Sequence, residues 1–148
     1  VFAGLANMIR LLPEGDAERA KMVVIFREMA VKLKAIQKPD GYWSPSLLSD
    51  PKTSLPESSG TGFYTYGFAW GIKAGILDAA SYEPVVRKGW GALTRAVHPD
   101  GKLGYVQPVS DRPDAVTYDD TQLYGVGAFL LAATAVADLD LRRDPAAR

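Results

Sequence analysis

Hydrophobic residues along this chain recur at spacings of three and four, which is the spacing of one face of an α-helix. The pattern predicts helices over residues 1–12, 17–37, 57–75, 82–97 and 121–139, with approximate limits. In the second and fourth helices an apolar stripe lies opposite a charged face, so each has one side in water. The third and fifth are apolar on nearly all sides, which predicts that they are buried all round.

An internal repeat relates the two halves of the chain. Pro39-Asp40-Gly41 recurs as Pro99-Asp100-Gly101, and Tyr66-Gly67 recurs as Tyr124-Gly125. Each unit contains a half-exposed helix, this turn, a short extended segment, a polar loop and a buried helix. The turn has a physical basis, because proline presets φ, aspartate bonds the nearby backbone and glycine accepts a positive φ. Repeats of this length bury their faces against their neighbours.

The alternation of half-exposed and buried helices predicts an all-α fold in two layers. We expect a partial toroid of helical hairpins, with about five helices in an inner and an outer layer. The polar loops, residues 49–56 and 110–120, would gather at one rim. The chain is helix-like from its first residue, with no Met and no capping residue before it. We therefore expect residues 1–148 to be the C-terminal portion of one barrel domain whose N-terminal hairpins precede Val1.

An incomplete ring of this kind leaves apolar inner helices uncovered. Exposed apolar patches of that size are uncommon on monomers. We therefore expect either a second copy of the chain, in a homodimer, or the missing N-terminal segment to cover the inner face.

Composition and charge exclude several classes of function. Seventeen basic residues balance seventeen acidic ones, which argues against a nucleic-acid or anionic-membrane partner. The chain has no cysteine and one histidine, His98, which excludes thiol chemistry and a multi-histidine metal site within it. We expect no metal and no cofactor. No apolar run reaches the ~20 residues of a membrane span, and no signal peptide is visible. A cytoplasmic location is expected, with a periplasmic or secreted one as the alternative.

Several motifs in register resemble the C-terminal half of a known enzyme family, and the likeness covers nearly the whole chain. The motifs are Glu57-Ser58-Ser59-Gly60-Thr61, the continuation over residues 66–72, residues 101–108 and residues 124–132. Together they resemble the unsaturated glycuronyl hydrolases of glycoside hydrolase families 88 and 105. The likeness is closer to family 105, the unsaturated rhamnogalacturonyl hydrolases.

The resemblance implies an (α/α)6 barrel and a glycosidase without a metal or organic cofactor. The implied reaction removes a 4,5-unsaturated uronic acid from pectin-derived oligosaccharides. In that family an Asp protonates the vinyl ether double bond and activates the water that adds at C5, which differs from displacement at the anomeric carbon. The family's catalytic Asp is expected before Val1, so no catalytic residue is assigned here and this portion alone is expected to be inactive.

Four polar residues at the start of the third helix are candidates for binding the unsaturated oligosaccharide. Glu57, Ser58, Ser59 and Thr61 precede or begin a helix whose free N–H groups and positive dipole end suit a carboxylate or sugar hydroxyls. We expect this polar end to face solvent or a cavity. The alternative is that these residues only cap the helix.

The extended segments after the two turns supply three more candidates. Trp43 and Tyr105 lie at equivalent places in them, and aromatic faces are suited to sugar contact. The alternative is that both rings fix the loops onto the helices. Gln107 could bond a sugar hydroxyl or, alternatively, the local backbone.

Two other functional classes remain open on the sequence. A helical repeat module could bind a partner or a carbohydrate without catalysis. Another enzyme built on an (α/α) toroid could share the architecture but not the chemistry.

Overall fold

The structure, a computed structural model, describes residues 1–50, 54–110, 112–113 and 115–143, without the side chains of 141–143. Within these residues the fold is all-α, as predicted, and strand pairing is limited to one isolated bridge between Val97 and Leu103. The helices are α1 (Phe2–Leu11), α2 (Ala17–Ala35), α3 (Ser58–Lys73), α4 (Ala79–Arg95) and α5 (Leu123–Arg143). Residues 51–53, 111 and 114 of the two predicted polar loops lie outside the described residues.

Acidic side chains set the beginnings of three helices. The carboxylates of Asp16, Glu57 and Asp78 accept hydrogen bonds from backbone N–H groups in the first turns of α2, α3 and α4. The Asp78 cap starts α4 at Ala79, three residues before the predicted start, and α5 runs four residues past its predicted end. The helix pattern thus located all five helices but not their limits.

The helices form two layers, with α3 at the centre. It packs against α1 and α5 on either side and against α4 behind. Aromatic contacts fix the outer helices: Phe26 of α2 stacks on Phe2 of α1 at 4.3 Å between ring centroids, and Tyr82 of α4 stacks on Phe68 of α3 at 5.6 Å. The inner layer is therefore α1–α3–α5, and α2 and α4 form the outer one.

Glycines in α3 allow its neighbours to approach closely. A Cβ on Gly62 would lie 2.9 Å from the backbone carbon of Ala128 in α5, and a Cβ on Gly67 would overlap the ring of Phe2. These residues cost intrinsic helix stability, roughly 1 kcal/mol each. The structure gives close helix packing as the reason for them.

The third and fifth helices, both predicted to be buried on all sides, differ in how far they are buried. Ten of the sixteen residues of α3 are buried, whereas α5 leaves Leu123, Leu130 and Leu131 exposed by 91%, 58% and 40%. The prediction is wrong for α5 because, among the described residues, it packs mainly against α3 and α4, which leaves its far side uncovered.

The composition of α5 also satisfies the test for a membrane span. Residues Leu123–Asp140 are long and apolar enough by length and composition, although the sequence pattern alone did not predict a span there. A core helix of a soluble protein passes the same test, and alanines of α5 are buried, among them Ala128 against Gly62 of α3. The feature carries no membrane assignment.

The internal repeat is visible in the geometry of the two turns. Gly41 and Gly101 have φ values of 96° and 90°. In each turn the aspartate Oδ1 accepts the N–H two residues on, from Tyr42 and Lys102, at 3.1 Å in both cases. The turns deliver equivalent extended segments to the same end of the helical layers.

Candidate functional site

The first turn of α3 is where both extended segments meet. Glu57 caps the helix with both carboxylate oxygens: Oε1 accepts from Ser59 N at 2.9 Å and Ser59 Oγ at 2.7 Å, and Oε2 accepts from Gly60 N at 2.7 Å. Its side chain is 5% exposed and forms no ion pair within the described residues. The carboxylate is stabilised by hydrogen bonds and the helix dipole instead of a cation.

Ser58 attaches the second extended segment to this turn. Its Oγ donates to the carbonyl oxygen of Gly104 at 2.7 Å, and its backbone N–H donates to that of Tyr105 at 2.8 Å. The side chain has no exposed surface.

Thr61 attaches the first extended segment in the same manner. Its Oγ1 donates to the carbonyl of Glu57 at 2.6 Å and accepts the backbone N–H of Trp43 at 3.1 Å. The indole of Trp43 donates to the carbonyl of Leu33 at 2.8 Å and is 1% exposed. One helical turn thus fixes both segments.

The polar end of α3 therefore does not face solvent or a cavity as a whole. That prediction is wrong for Ser58 and Thr61, which are fully buried because the extended segments cover them. The surroundings of Trp43, Ser58 and Thr61 leave no surface for a sugar and match the alternatives of loop fixing and capping. Glu57 and Ser59 keep small exposed fractions of 5% and 8%.

Gln107 lies where the second segment passes between α3 and α5. Its backbone N–H points to Glu57 Oε1 at 3.4 Å, and its carbonyl accepts the hydroxyl of Tyr124 at 2.5 Å. Its side-chain amide donates to the carbonyl of Arg112 at 3.0 Å, which is the local backbone bond considered as an alternative. The side chain is half-buried, so its remaining polar surface is accessible.

Tyr105 has a backbone conformation that no motif in the sequence predicts. Its φ is 56°, the only positive φ of a non-glycine residue in the described part of the chain. A left-handed conformation costs a tyrosine on the order of 1–3 kcal/mol and persists only where the surroundings enforce it. Such residues are concentrated at functional sites.

An aromatic cluster surrounds Tyr105. Its ring lies 6.2 Å from that of Tyr42 and 5.3 Å from that of Tyr118, and Tyr118 stacks on His98 at 3.6 Å. Burial raises the pKa of Tyr42 to about 12, partly offset by the nearby charge of Arg95. Tyr42 is thus a neutral hydrogen-bond donor over the physiological range.

Glu57 affects the pKa of Tyr64, a tyrosine of the helix that it caps. Burial, and then the negative charge of Glu57, raise the pKa of Tyr64. Neither Tyr42 nor Tyr64 is suited to act as a base near neutral pH.

A groove of about 620 Å³ lies toward the C-terminal end of α3, away from the first turn of that helix. Asn7 and Arg10 of α1, Trp70 and Lys73 of α3 and residues of α5 line it. The hydroxyl of Tyr66 donates to Asn7 Oδ1 at 2.6 Å within it. In the described part of the chain no group of three or more His, Cys, Asp or Glu residues could hold a metal ion.

Comparisons with known proteins find relatives that match nearly all of this chain. Two curated relatives, from Alteromonas sp. (strain LOR) and Formosa agariphila, are both described as an unsaturated 3S-rhamnoglycuronyl hydrolase. The first is 47% identical over 134 residues, covering 90% of this chain and 32% of the relative, and the second 39% identical over 140 residues, covering 95% and 37%. The chain thus spans about a third of the length of these relatives.

Solved structures share the fold over nearly all of this chain. A glycosyl hydrolase family 88 protein from Bacteroides vulgatus superposes with a TM-score of 0.84 at 42% identity, covering 90% of this chain and 40% of that one. A structure described as a polysaccharide lyase gives 0.87 at 45%, covering 94% and 40%. The five helices are therefore about two-fifths of an (α/α) toroid. Since the model of Glycosyl Hydrolase Family 88 matches residues 1–139, the chain belongs to that family.

Proposed function

We propose that the protein formed with this chain removes a 4,5-unsaturated uronic acid from a rhamnose-containing oligosaccharide. The observation that carries the proposal is the identity of 47% and 39% to two relatives described as unsaturated 3S-rhamnoglycuronyl hydrolases, across 90% and 95% of this chain. Their description names a rhamnoglycuronyl substrate and not pectin. A pectin-derived oligosaccharide is the second substrate to be tested.

The proposed chemistry is hydration of the vinyl ether. A proton adds to C4 of the double bond and water adds to C5, giving a hemiketal that collapses and releases the neighbouring sugar. The carboxylic acid that supplies the proton is assigned to hairpins outside this chain. Glu57, the carboxylate at the N-terminal end of α3, is not available for this role, because the cap engages both of its oxygens.

This chain contributes part of the binding rim at the N-terminal end of α3. Tyr105 and Gln107 present accessible surface there, and Glu57 and Ser59 lie beside them. A half-exposed aromatic ring and an amide are the groups that proteins use to contact sugar faces and hydroxyls. Trp43, Ser58 and Thr61 hold that rim from inside the protein.

The test measures the ultraviolet absorbance of the conjugated double bond. An active form is made by placing the N-terminal part of the Alteromonas relative, the part outside the matched region, in front of Val1. The unsaturated rhamnoglycuronyl disaccharide and the unsaturated galacturonyl-rhamnose disaccharide are supplied separately. Hydration destroys the double bond, so we expect the absorbance to fall with the first substrate, and the 148-residue chain alone to leave it unchanged.

The same absorbance distinguishes the competing functions. A polysaccharide lyase, the activity for which one similar structure is named, creates the double bond and would raise the absorbance of an intact polysaccharide. A non-catalytic module would bind the disaccharide without any change in absorbance. A rise, or binding without turnover by the joined form, would contradict the proposal.

A further inference from the structure

The segment 104–107 is held by hydrogen bonds along almost its whole backbone. Hydrogen-bond partners are present for three N–H groups, of Gly104, Tyr105 and Val106, and for three carbonyls, of Gly104, Tyr105 and Gln107. These partners are Ala96 O, Thr117 O, Asp120 O, Ser58 Oγ, Ser58 N and the Tyr124 hydroxyl. They belong to four parts of the fold, namely the end of α4, the loop before α5, the start of α3 and α5 itself, so the segment cannot shift without breaking contacts to each of them.

This bonding enforces a conformation that tyrosine disfavours. Gly104 has a packing reason to be glycine, because a Cβ there would overlap the carbonyl oxygen of Tyr118. At position 105, where φ is 56°, a glycine would also fit the backbone with less strain. The backbone conformation therefore does not explain why position 105 is a tyrosine, and the explanation must lie in what its side chain does.

The hydroxyl of Tyr105 differs from those of its tyrosine neighbours. Tyr42 donates to Ala92 O at 2.8 Å, Tyr118 to Val97 O at 3.2 Å and Tyr124 to Gln107 O at 2.5 Å. Within the described residues the Tyr105 hydroxyl has no hydrogen-bond partner, and its ring is only half-buried. A fixed ring with an unused hydroxyl can bind a sugar with little further loss of conformational entropy.

We propose that Ser58 is a positioning residue that acts on the substrate through Tyr105. Ser58 has no exposed surface, so it cannot touch a sugar. Its two bonds, to Gly104 O and Tyr105 O, hold the peptide units on either side of the left-handed residue. They fix the direction in which the Tyr105 ring and hydroxyl face the rim. The inference rests on the proposed function, because it assigns Tyr105 to the sugar site.

The test is a double-variant cycle of Ser58→Ala and Tyr105→Phe in the active form described above. Ser58→Ala removes the bond to Gly104 O, and Tyr105→Phe removes only the hydroxyl. Each single variant should raise KM about five-fold with a smaller change in kcat, as expected for lost binding. In the Tyr105→Phe background, Ser58→Ala should raise KM little further, because residues that act as one unit are not additive.

Tyr42→Phe is the matched control. It removes a tyrosine hydroxyl from the same cluster, but one that is buried and bonded to Ala92 O. It should lower thermal stability and leave KM unchanged. A purely structural role for Ser58 predicts instead that its effect on KM is the same in both Tyr105 backgrounds, which would overturn the inference.

Failure of the proposed function is distinguishable from failure of this inference. If the active form turns over neither disaccharide, the proposed function fails. The same four proteins are then titrated calorimetrically with the unsaturated rhamnoglycuronyl disaccharide. If both single variants bind the disaccharide more weakly and the double variant binds it no more weakly than Tyr105→Phe, the inference is still supported. If all four proteins give the same titration, with or without binding, the inference is overturned.

Discussion

Gly89 lies where α4 packs against Thr65 of α3. A Cβ at Gly89 would overlap the Thr65 hydroxyl and lie 3.3 Å from the ring of Trp43. All three residues are buried, and the hydroxyl has no hydrogen-bond partner in the described part of the chain. The first turn of α3 bonds both extended segments, and the second segment follows α4. Packing of Gly89 against the Thr65 hydroxyl therefore helps to position the rim.

Replacing Gly89 by alanine should destabilise the protein. The added methyl group forces the helices apart or moves Trp43, and overpacking of this kind costs about 1–3 kcal/mol. Urea denaturation of Gly89→Ala measures the loss. The control is Gly127→Ala in α5, where nothing lies within 4 Å of a new Cβ and alanine should stabilise the helix by about 0.5–1 kcal/mol. Equal effects at the two sites would show that α3 and α4 are less closely packed than the structure indicates.

Residues whose role depends on near neighbours in the sequence were predictable, and those that depend on distant ones were not. Asp40 and Asp100 bond N–H groups two residues away, so their turn role follows from the local motif. Ser58 bonds residues forty-six and more positions away, and nothing around it in the sequence shows which segment will cover it. The left-handed Tyr105 was likewise hidden, since glycine or asparagine is the usual residue at such a φ.

At the scale of the elements, the hydrophobic periodicity was sufficient to predict which segments are helices but not how far each helix is exposed. α3 and α5 have similar apolar sequences, yet in the described part of the chain only α3 packs closely against two inner helices. Burial of a helix depends on what packs beside it, which its own pattern does not contain. Helix limits were missed where a cap decided them, as at Asp78.

The Asp78 cap should make the stability of α4 depend on acid pH. Hydrogen bonds from the Ser81 side chain and backbone lower the pKa of Asp78 below its ordinary value. A group whose pKa is depressed on folding stabilises the fold above its unfolded pKa, and this contribution is lost as the pH falls through the folded pKa. The stability of the protein should therefore decrease in that acid range in part because Asp78 is protonated.

The variant Asp78→Asn isolates this contribution. Asparagine keeps a capping acceptor but has no charge to titrate. The difference in free energy of unfolding between the original protein and Asp78→Asn should be present near neutral pH and vanish below the pKa of Asp78. Urea denaturation across the acid range measures it. Asp100→Asn, in an exposed turn, is the comparison, and a difference that grows toward acid pH would refute the cap argument.

At the scale of the whole molecule, apolar side chains are exposed on both helices that flank α3 in the inner layer, α1 and α5. They include Leu11, exposed by 71%, and Leu123, Leu130 and Leu131. The two-layer architecture was predictable because each repeat unit contains one half-exposed and one buried helix. The repeat does not indicate what covers the exposed apolar side chains of α1 and α5. The curated relatives are about three times as long as this chain, so the rest of such a protein is one candidate for the cover and a second copy of the chain is the other.

The 148-residue chain alone should therefore self-associate through the exposed face of α5. Burying one exposed leucine contributes about 1.5–3 kcal/mol, and several lie on the same face. Light scattering over a range of concentrations should give an average mass above the 16.0 kDa of one chain. Leu130→Lys should weaken the association at least about ten-fold, since 1.4 kcal/mol corresponds to that factor. Val24→Lys, which changes a residue of similar exposure on the outer helix α2 (54% against 58%), should leave it unchanged. A monomer at every concentration would mean that the open face tolerates water, and the cover proposed for it would be unnecessary.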